Sequence, residues 1–132
     1  MSKTALITGA SGGIGLELAR IHASKGDDLV LVARSGEKLD EVKTELETEY
    51  KVTVHFLVRD LSLPNSALKV FNEVSNHGIE IDYLINNAGF GDFGLFTETK
   101  WEKQESMINL NITTLTHLTW LFIPGMIKRG GG

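Results

Sequence analysis

The stretch Thr8-Gly9-Ala10-Ser11-Gly12-Gly13-Ile14-Gly15 constrains what this chain can fold into more than any other. It lies between a short apolar run, Ala5-Leu6-Ile7, and a segment in which Ile14, Leu18 and Ile21 recur at helical spacing, so it reads as a turn from a strand into a helix. Such a turn is where a phosphate binds. One glycine bends the chain tightly, one lets the main chain approach a pyrophosphate with no Cβ in the way, and one lets the helix pack closely on the strand. The helix then opens with unpaired N–H groups and a partial positive charge directed at the ligand. The glycines that match these jobs are Gly9, Gly13 and Gly15, spaced Gly-x-x-x-Gly-x-Gly rather than Gly-x-Gly-x-x-Gly. No Gly-Lys followed by Ser or Thr closes the motif, which argues against a nucleoside-triphosphate loop.

The pattern predicts a first helix from about Ile14 to Lys25, stopped by Gly26. Leu29-Val30-Leu31-Val32-Ala33 follows as a continuous apolar run, the mark of a strand covered on both faces. A second helix begins near Ser35 or Gly36. Its apolar stripe is Leu39, Val42 and Leu46, and its run of Glu37, Lys38, Glu41, Lys43, Glu45 and Glu47 reads as a solvated face. A third strand spans Val52 to Val58. After Arg59-Asp60-Leu61-Ser62, the residues Pro64-Asn65-Ser66 open a helix whose packing candidates are Leu68, Phe71 and Val74, ended by Gly78. A fourth strand, Ile81 to Ile85, runs into Asn86-Asn87-Ala88-Gly89 and a loop rich in glycine and phenylalanine, Phe90 to Phe96. The last helix extends from about Lys100 to Ile127, carries Trp101, Met107, Leu110, Leu115, Leu118, Leu121 and Phe122, and is kinked or ended by Pro124.

Strands alternating with helices make a parallel sheet with right-handed crossovers, so the expected fold is α/β, Rossmann-type and doubly wound, with strand order 3-2-1-4. A ligand is expected in the crevice between the first and fourth strands, where the glycine turn and the Asn-Asn-Ala-Gly turn both end. At 132 residues, 42% hydrophobic and 23% charged, the chain fits one globular domain over residues 1–132. A net charge of −4 argues against a nucleic-acid or anionic-membrane surface, and no continuous apolar run reaches the roughly 18 residues of a membrane span. The absence of cysteine removes disulfides and thiolate metal sites, and His22, His55, His77 and His117 are too dispersed for a local metal motif. The N-terminus shows no targeting leader, so the expected location is the cytoplasm.

With Thr8 to Gly15 read together with Asn86-Asn87-Ala88-Gly89, the whole chain from Lys3 onward resembles the classical short-chain dehydrogenase/reductase family. The resemblance implies a nicotinamide dinucleotide cofactor and hydride transfer between a small-molecule alcohol and a carbonyl. It implies cofactor contacts at Gly9, Ser11, Gly13, Ile14, Gly15, Arg34, Ser35, Asp60, Leu61, Asn87, Ala88 and Gly89, with Asp60 beside the adenine. It also implies a catalytic asparagine that helps hold a water in the proton relay. Asn111, in Asn109-Leu110-Asn111-Ile112-Thr113, is preferred for that place, with Asn109 the competing candidate. The same residues fit plainer roles, Asp60 and Asn86 to Gly89 as turn residues and Asn111 as a polar packing residue.

Cofactor choice follows from charge. In NAD-specific proteins of this fold an acid at the end of the second strand accepts from the ribose 2′-OH and would repel a 2′-phosphate. Here Ala33-Arg34-Ser35 stands at that place, and a guanidinium is a bidentate phosphate partner, so NADP(H) is expected over NAD(H). In one respect the chain departs from the family. The family's catalytic serine and Tyr-x-x-x-Lys do not occur: four residues after Tyr50 and Tyr83 stand Val54 and Asn87. The chain therefore reads as the N-terminal, cofactor-binding half of a longer enzyme that is expected to be a dimer or tetramer, lacking the later strands. The rival reading is an NADP(H)-binding module or sensor without turnover.

Overall fold

The computed structural model describes residues 2–132. Strands β1 (Thr4–Thr8), β2 (Asp28–Ala33), β3 (Val54–Val58) and β4 (Tyr83–Ile85) alternate with helices α1 (Gly13–Ser24), α2 (Gly36–Tyr50) and α3 (Ser66–Asn76). All strand pairings are parallel and the order is β3-β2-β1-β4, as expected from the alternation. In β1 and β2 every second side chain points the same way, so each apolar strand feeds two cores. Ala5, Ile7, Leu29 and Leu31 pack under α1 and α2, while Leu6, Val30 and Val32 meet α3 and the C-terminal helix on the other face. Removing each of the larger side chains from water contributes about 1.5–3 kcal/mol, which is why the two central strands tolerate no polar residue between their ends.

Four local expectations are corrected. The buried residues of α1 are Gly15, Ala19 and Ala23, whereas Ile14 is 73% and Ile21 48% exposed. Small residues let this helix lie close to the sheet, and the larger apolar ones are left at its flank. In α3 the buried apolar residues are Ala67, Val70 and Val74, with Ser66 buried beside them, Leu68 exposed and Phe71 half-buried, so that the stripe begins one residue before the expected one. β3 starts at Val54 because Lys51, in the left-handed region at φ 60°, caps α2 and turns the chain, although Val52 still packs against the core. β4 has only three residues; Ile81 is buried but lies before it.

The C-terminal helix is continuous but not uniform. It comprises α4 (Trp101–Ile108), a π-helical turn (Asn109–Thr114) and α5 (Leu115–Arg129). Pro124 sits inside α5 without ending it. The proline and Trp120, whose carbonyl loses its helical partner, lie on the exposed side, where water can serve that oxygen. The helix stops at Gly130, φ 86°, whose N–H donates to the Ile127 carbonyl. Thr114, Leu118 and Phe122 are the residues it buries, and Trp101 and Leu115 are exposed. No helix among the described residues is long and apolar enough to cross a membrane.

Candidate functional site

The carboxyl ends of β1, β2 and β4 converge on a cleft of about 510 Å³. Parallel strands with crossovers to opposite faces leave such a crevice at the switch point between β1 and β4. Of the residues singled out in the sequence, Gly9, Ser11, Arg34, Ser35, Asp60, Leu61, Asn87, Ala88 and Gly89 line it. Gly13, Ile14, Gly15 and Asn111 do not. The cleft adds Lys38, Arg59, Ser62 and Phe90, which the sequence reading left out of the site.

The three glycines divide the work by geometry. Gly9 takes φ +66°, and a Cβ there would stand 3.0 Å from Ala88 Cα and from Asn87 Nδ2. Gly13, φ +56°, faces open space, so its need is conformational and its main chain is approachable. Gly15 is buried, and a Cβ would overlap the Gly9 carbonyl and come within 2.6 Å of Asn87 Nδ2. Gly15 therefore lets α1 pack against the glycine turn. Gly12, in extended backbone, precedes α1 with no side-chain cap, and the first turn holds no acid. The initial N–H groups of α1 are left without an internal partner at the mouth of the site, and Gly13 and Ile14 lie exposed there.

A knot of hydrogen bonds ties the two turns together. The Thr8 hydroxyl accepts from the main-chain N–H of Asn87 at 3.0 Å and of Ala88 at 2.9 Å. The Asn87 amide nitrogen donates back to the carbonyls of Thr8 and Gly9, at 3.1 and 3.2 Å. Gly9 N–H in turn donates to the Val32 carbonyl at 2.8 Å, which attaches the glycine turn to the end of β2. Thr8 is only 2% exposed. Its part in the site was not legible locally, because its partners lie 79 and 80 residues away. The only sequence signal was a β-branched hydroxyl at the end of an apolar strand.

Beyond β3, Asp60 Oδ1 accepts from the Ser62 N–H at 3.0 Å and the Ser62 hydroxyl at 2.6 Å, and Oδ2 has no partner among the described residues. The Ser62 hydrogen bonds, with the Arg34 charge nearby, hold the Asp60 carboxyl below the usual aspartate range. It is ionised throughout neutral pH. Leu61 is buried, and its carbonyl accepts from Ser66 Oγ at 3.2 Å and Thr114 Oγ1 at 2.6 Å. This buried trio fixes the floor of the cleft to the π turn.

The π turn presents Asn111 to the loop after β4. Its Nδ2 donates to the Phe90 carbonyl at 2.7 Å and its Oδ1 accepts the Phe90 N–H at 3.2 Å. That approach requires Gly89, where a Cβ would stand 2.7 Å from the same Oδ1. Asn109 makes no side-chain hydrogen bond among the described residues, so Asn111 is the asparagine that meets the site's rim. The widened turn rotates one asparagine out of register with the other. A second tether, Lys103 to Asp92 at 2.8 Å, holds the loop in which Phe93 and Phe96 are exposed.

A family model described as short chain dehydrogenase matches residues 3–132. The very-long-chain 3-oxoacyl-CoA reductase of Macaca fascicularis is 32% identical over 136 residues, covering all of this chain and 43% of its own length. Among solved structures, L-sorbose reductase from Gluconobacter frateurii, complexed with NADPH and L-sorbose, is similar with a TM-score of 0.92 and 35% identity, over 99% of this chain and 50% of that one. A short-chain dehydrogenase from Sphingobium yanoikuyae in complex with NADPH gives 0.91 and 40%, over 98% and 50%. The chain spans about half the length of these relatives.

Proposed function

The chain belongs to the short chain dehydrogenase family, and from that premise we propose that it is a single dinucleotide-binding domain of an oxidoreductase that takes NADP(H) in preference to NAD(H). The reaction is hydride transfer between a small-molecule alcohol and a carbonyl. When bound, the cofactor supplies the hydride chemistry, and the chain's own residues bind and orient it. The exposed main chain at Gly13 and the uncapped start of α1 suit a pyrophosphate. Asp60 and Leu61 flank the place for adenine, and Arg34 with Ser35 the ribose 2′-phosphate. Asn111 fixes the rim at Phe90, on the side where the nicotinamide would meet substrate.

The observation that carries this reading is one cleft holding both the glycine turn and Arg34-Ser35, with Asp60 its only carboxylate among the described residues. Fluorescence titration of wild type and Arg34→Ala with NADPH and NADH tests it. Loss of a charge-assisted contact of about 1.5–3 kcal/mol predicts NADPH affinity lower by roughly tenfold or more in the variant, with NADH unaffected. Equal affinities in all four titrations would overturn the preference.

The reading of this chain as a binding module without turnover has one observation in its favour. Neither tyrosine reaches the cleft: Tyr50 ends α2, and Tyr83 pairs with Ala5 at the opposite end of β1. We also propose self-association through the exposed apolar residues of the C-terminal helix, among them Ile112, Trp120, Ile123 and Ile127. Sedimentation over a range of concentrations is expected to show species above monomer mass, and a strictly monomeric, cooperatively unfolding chain would contradict it.

A further inference from the structure

Three cations line the cleft: Arg34, Lys38 and Arg59. They are not equivalent. The charged end of Arg59 is turned to Glu73, with Nη2 at 2.7 Å from Glu73 Oε2 and Nη1 at 3.4 Å from the Val58 carbonyl, while its buried Nε has no partner among the described residues. Arg34 shares its field with Asp60, whose carboxyl it helps to keep ionised. Lys38 forms no ion pair among the described residues. A helical wheel drawn from the charge run alone sends Lys38 to solvent with its acidic neighbours. The position of α2 against β2 corrects this, because the first turn of the helix, not its middle, forms the cleft wall.

The placement follows from the cap. Ser35 is the N-cap of α2, and its Oγ accepts the Lys38 N–H at 3.3 Å, so residue 38 lies directly above residue 35. Arg34, Ser35 and Lys38 therefore face one corner of the cleft. The Ser35 hydroxyl has used a lone pair and retains its proton for donation. Gly36, with Val58 Cγ2 3.1 Å from where a Cβ would stand, lets this corner close onto β3. A phosphate monoester at neutral pH carries about −1.5 to −2 charges, more than one guanidinium neutralises, and Asp60 in the same cleft adds to the repulsion.

We propose that Lys38 is a second cation for the 2′-phosphate and a determinant of the preference for NADP(H), acting with Arg34 and Ser35. The inference rests on the reading that the cleft takes NADP(H). Arg34 supplies a directional fork and Lys38 a mobile point charge that follows the remaining oxygen. The exposed acids of α2 stay outside: Glu37, Asp40 and Glu41 do not line the cleft.

The test uses the 132-residue chain with NADPH and NADH as probes, comparing wild type, Lys38→Gln and Lys38→Arg. NADPH affinity should fall about threefold to tenfold in Lys38→Gln, with NADH affinity unchanged and Lys38→Arg close to wild type. Phosphorus NMR of bound NADPH gives a readout that a packing defect would not reproduce. Neighbouring cations favour the dianion, so the 2′-phosphate titrates at lower pH when bound to wild type, and Lys38→Gln should move that midpoint back towards the free value. If wild type prefers NADPH and Lys38→Gln changes neither affinity nor midpoint, the assignment of Lys38 is wrong while the cofactor reading stands. If wild type does not discriminate between the two cofactors, the cofactor reading fails and the assignment falls with it.

Discussion

Replacing Gly15 with alanine is expected to destabilise the chain by about 3 kcal/mol and to remove measurable NADPH binding. The added methyl is small, but the atoms it meets are the Gly9 carbonyl and the Asn87 amide nitrogen, the second at 2.6 Å. The first is main chain, and the second, a side-chain end, is held in place by its hydrogen bonds to the carbonyls of Thr8 and Gly9. Relief requires α1 to lift from the glycine turn, which opens the packing of Ala19 and Ala23 on the sheet and moves Asn87 off the carbonyls of Thr8 and Gly9. Overpacking of this kind costs about 1–3 kcal/mol when side chains can adjust, and here main chain must move, so the upper end applies. Chemical denaturation measures it, with Gly12→Ala as the control, because a Cβ at Gly12 meets nothing within 4 Å and its backbone is extended at φ −172°. Equal stability of Gly15→Ala and wild type would show that the helix does not rest on the turn as described.

The second large effect belongs to Thr8. Thr8→Val keeps shape and branching but removes the one oxygen that accepts the N–H groups of both Asn87 and Ala88. Each donor left without a partner away from water costs about 1–3 kcal/mol, and partial exposure of this turn reduces the total, so a loss of about 2–3 kcal/mol is expected. Thr8→Ser, which retains the acceptor, should recover most of it. The change reaches function as well as stability, because the Asn-Asn-Ala-Gly turn is held against the glycine turn through this hydroxyl. NADPH affinity is expected to fall in Thr8→Val and to return in Thr8→Ser. A valine variant as stable as wild type would mean that water replaces the hydroxyl and that the two turns are not coupled through it.

Both effects concern a site whose outline was legible in the sequence and whose contacts were not. The glycine spacing located the turn, and Ala33-Arg34-Ser35 located the missing acid, since each is a property of consecutive residues. The resemblance favoured Asn111 over Asn109 but left the second as a candidate, because two residues on a helix differ by an angle that the π turn changes. Lys38 was hidden in a charge run that reads as solvated in any isolated helix. Ile14, Leu18 and Ile21 signalled a helix correctly but only Leu18 of the three packs against the core, because closeness to the sheet favoured Gly15, Ala19 and Ala23. Leu68 failed for a related reason: α3 is rotated so that Ala67 and Val70 face the sheet.

By itself the sequence determined the alternation of strands and helices, the order 3-2-1-4 and the end of the sheet at which a ligand would sit. Apolar period, glycine and proline positions and chain connectivity act over a few residues, and parallel crossovers leave few other arrangements. The tertiary structure alone decided which face each helix buries, that Thr8 and Asn87 lock together across 79 positions, and that Lys38 stands in the cleft wall. Those outcomes depend on the rotation and separation of packed elements, set by the sum of all their contacts, and no short stretch of chain encodes them.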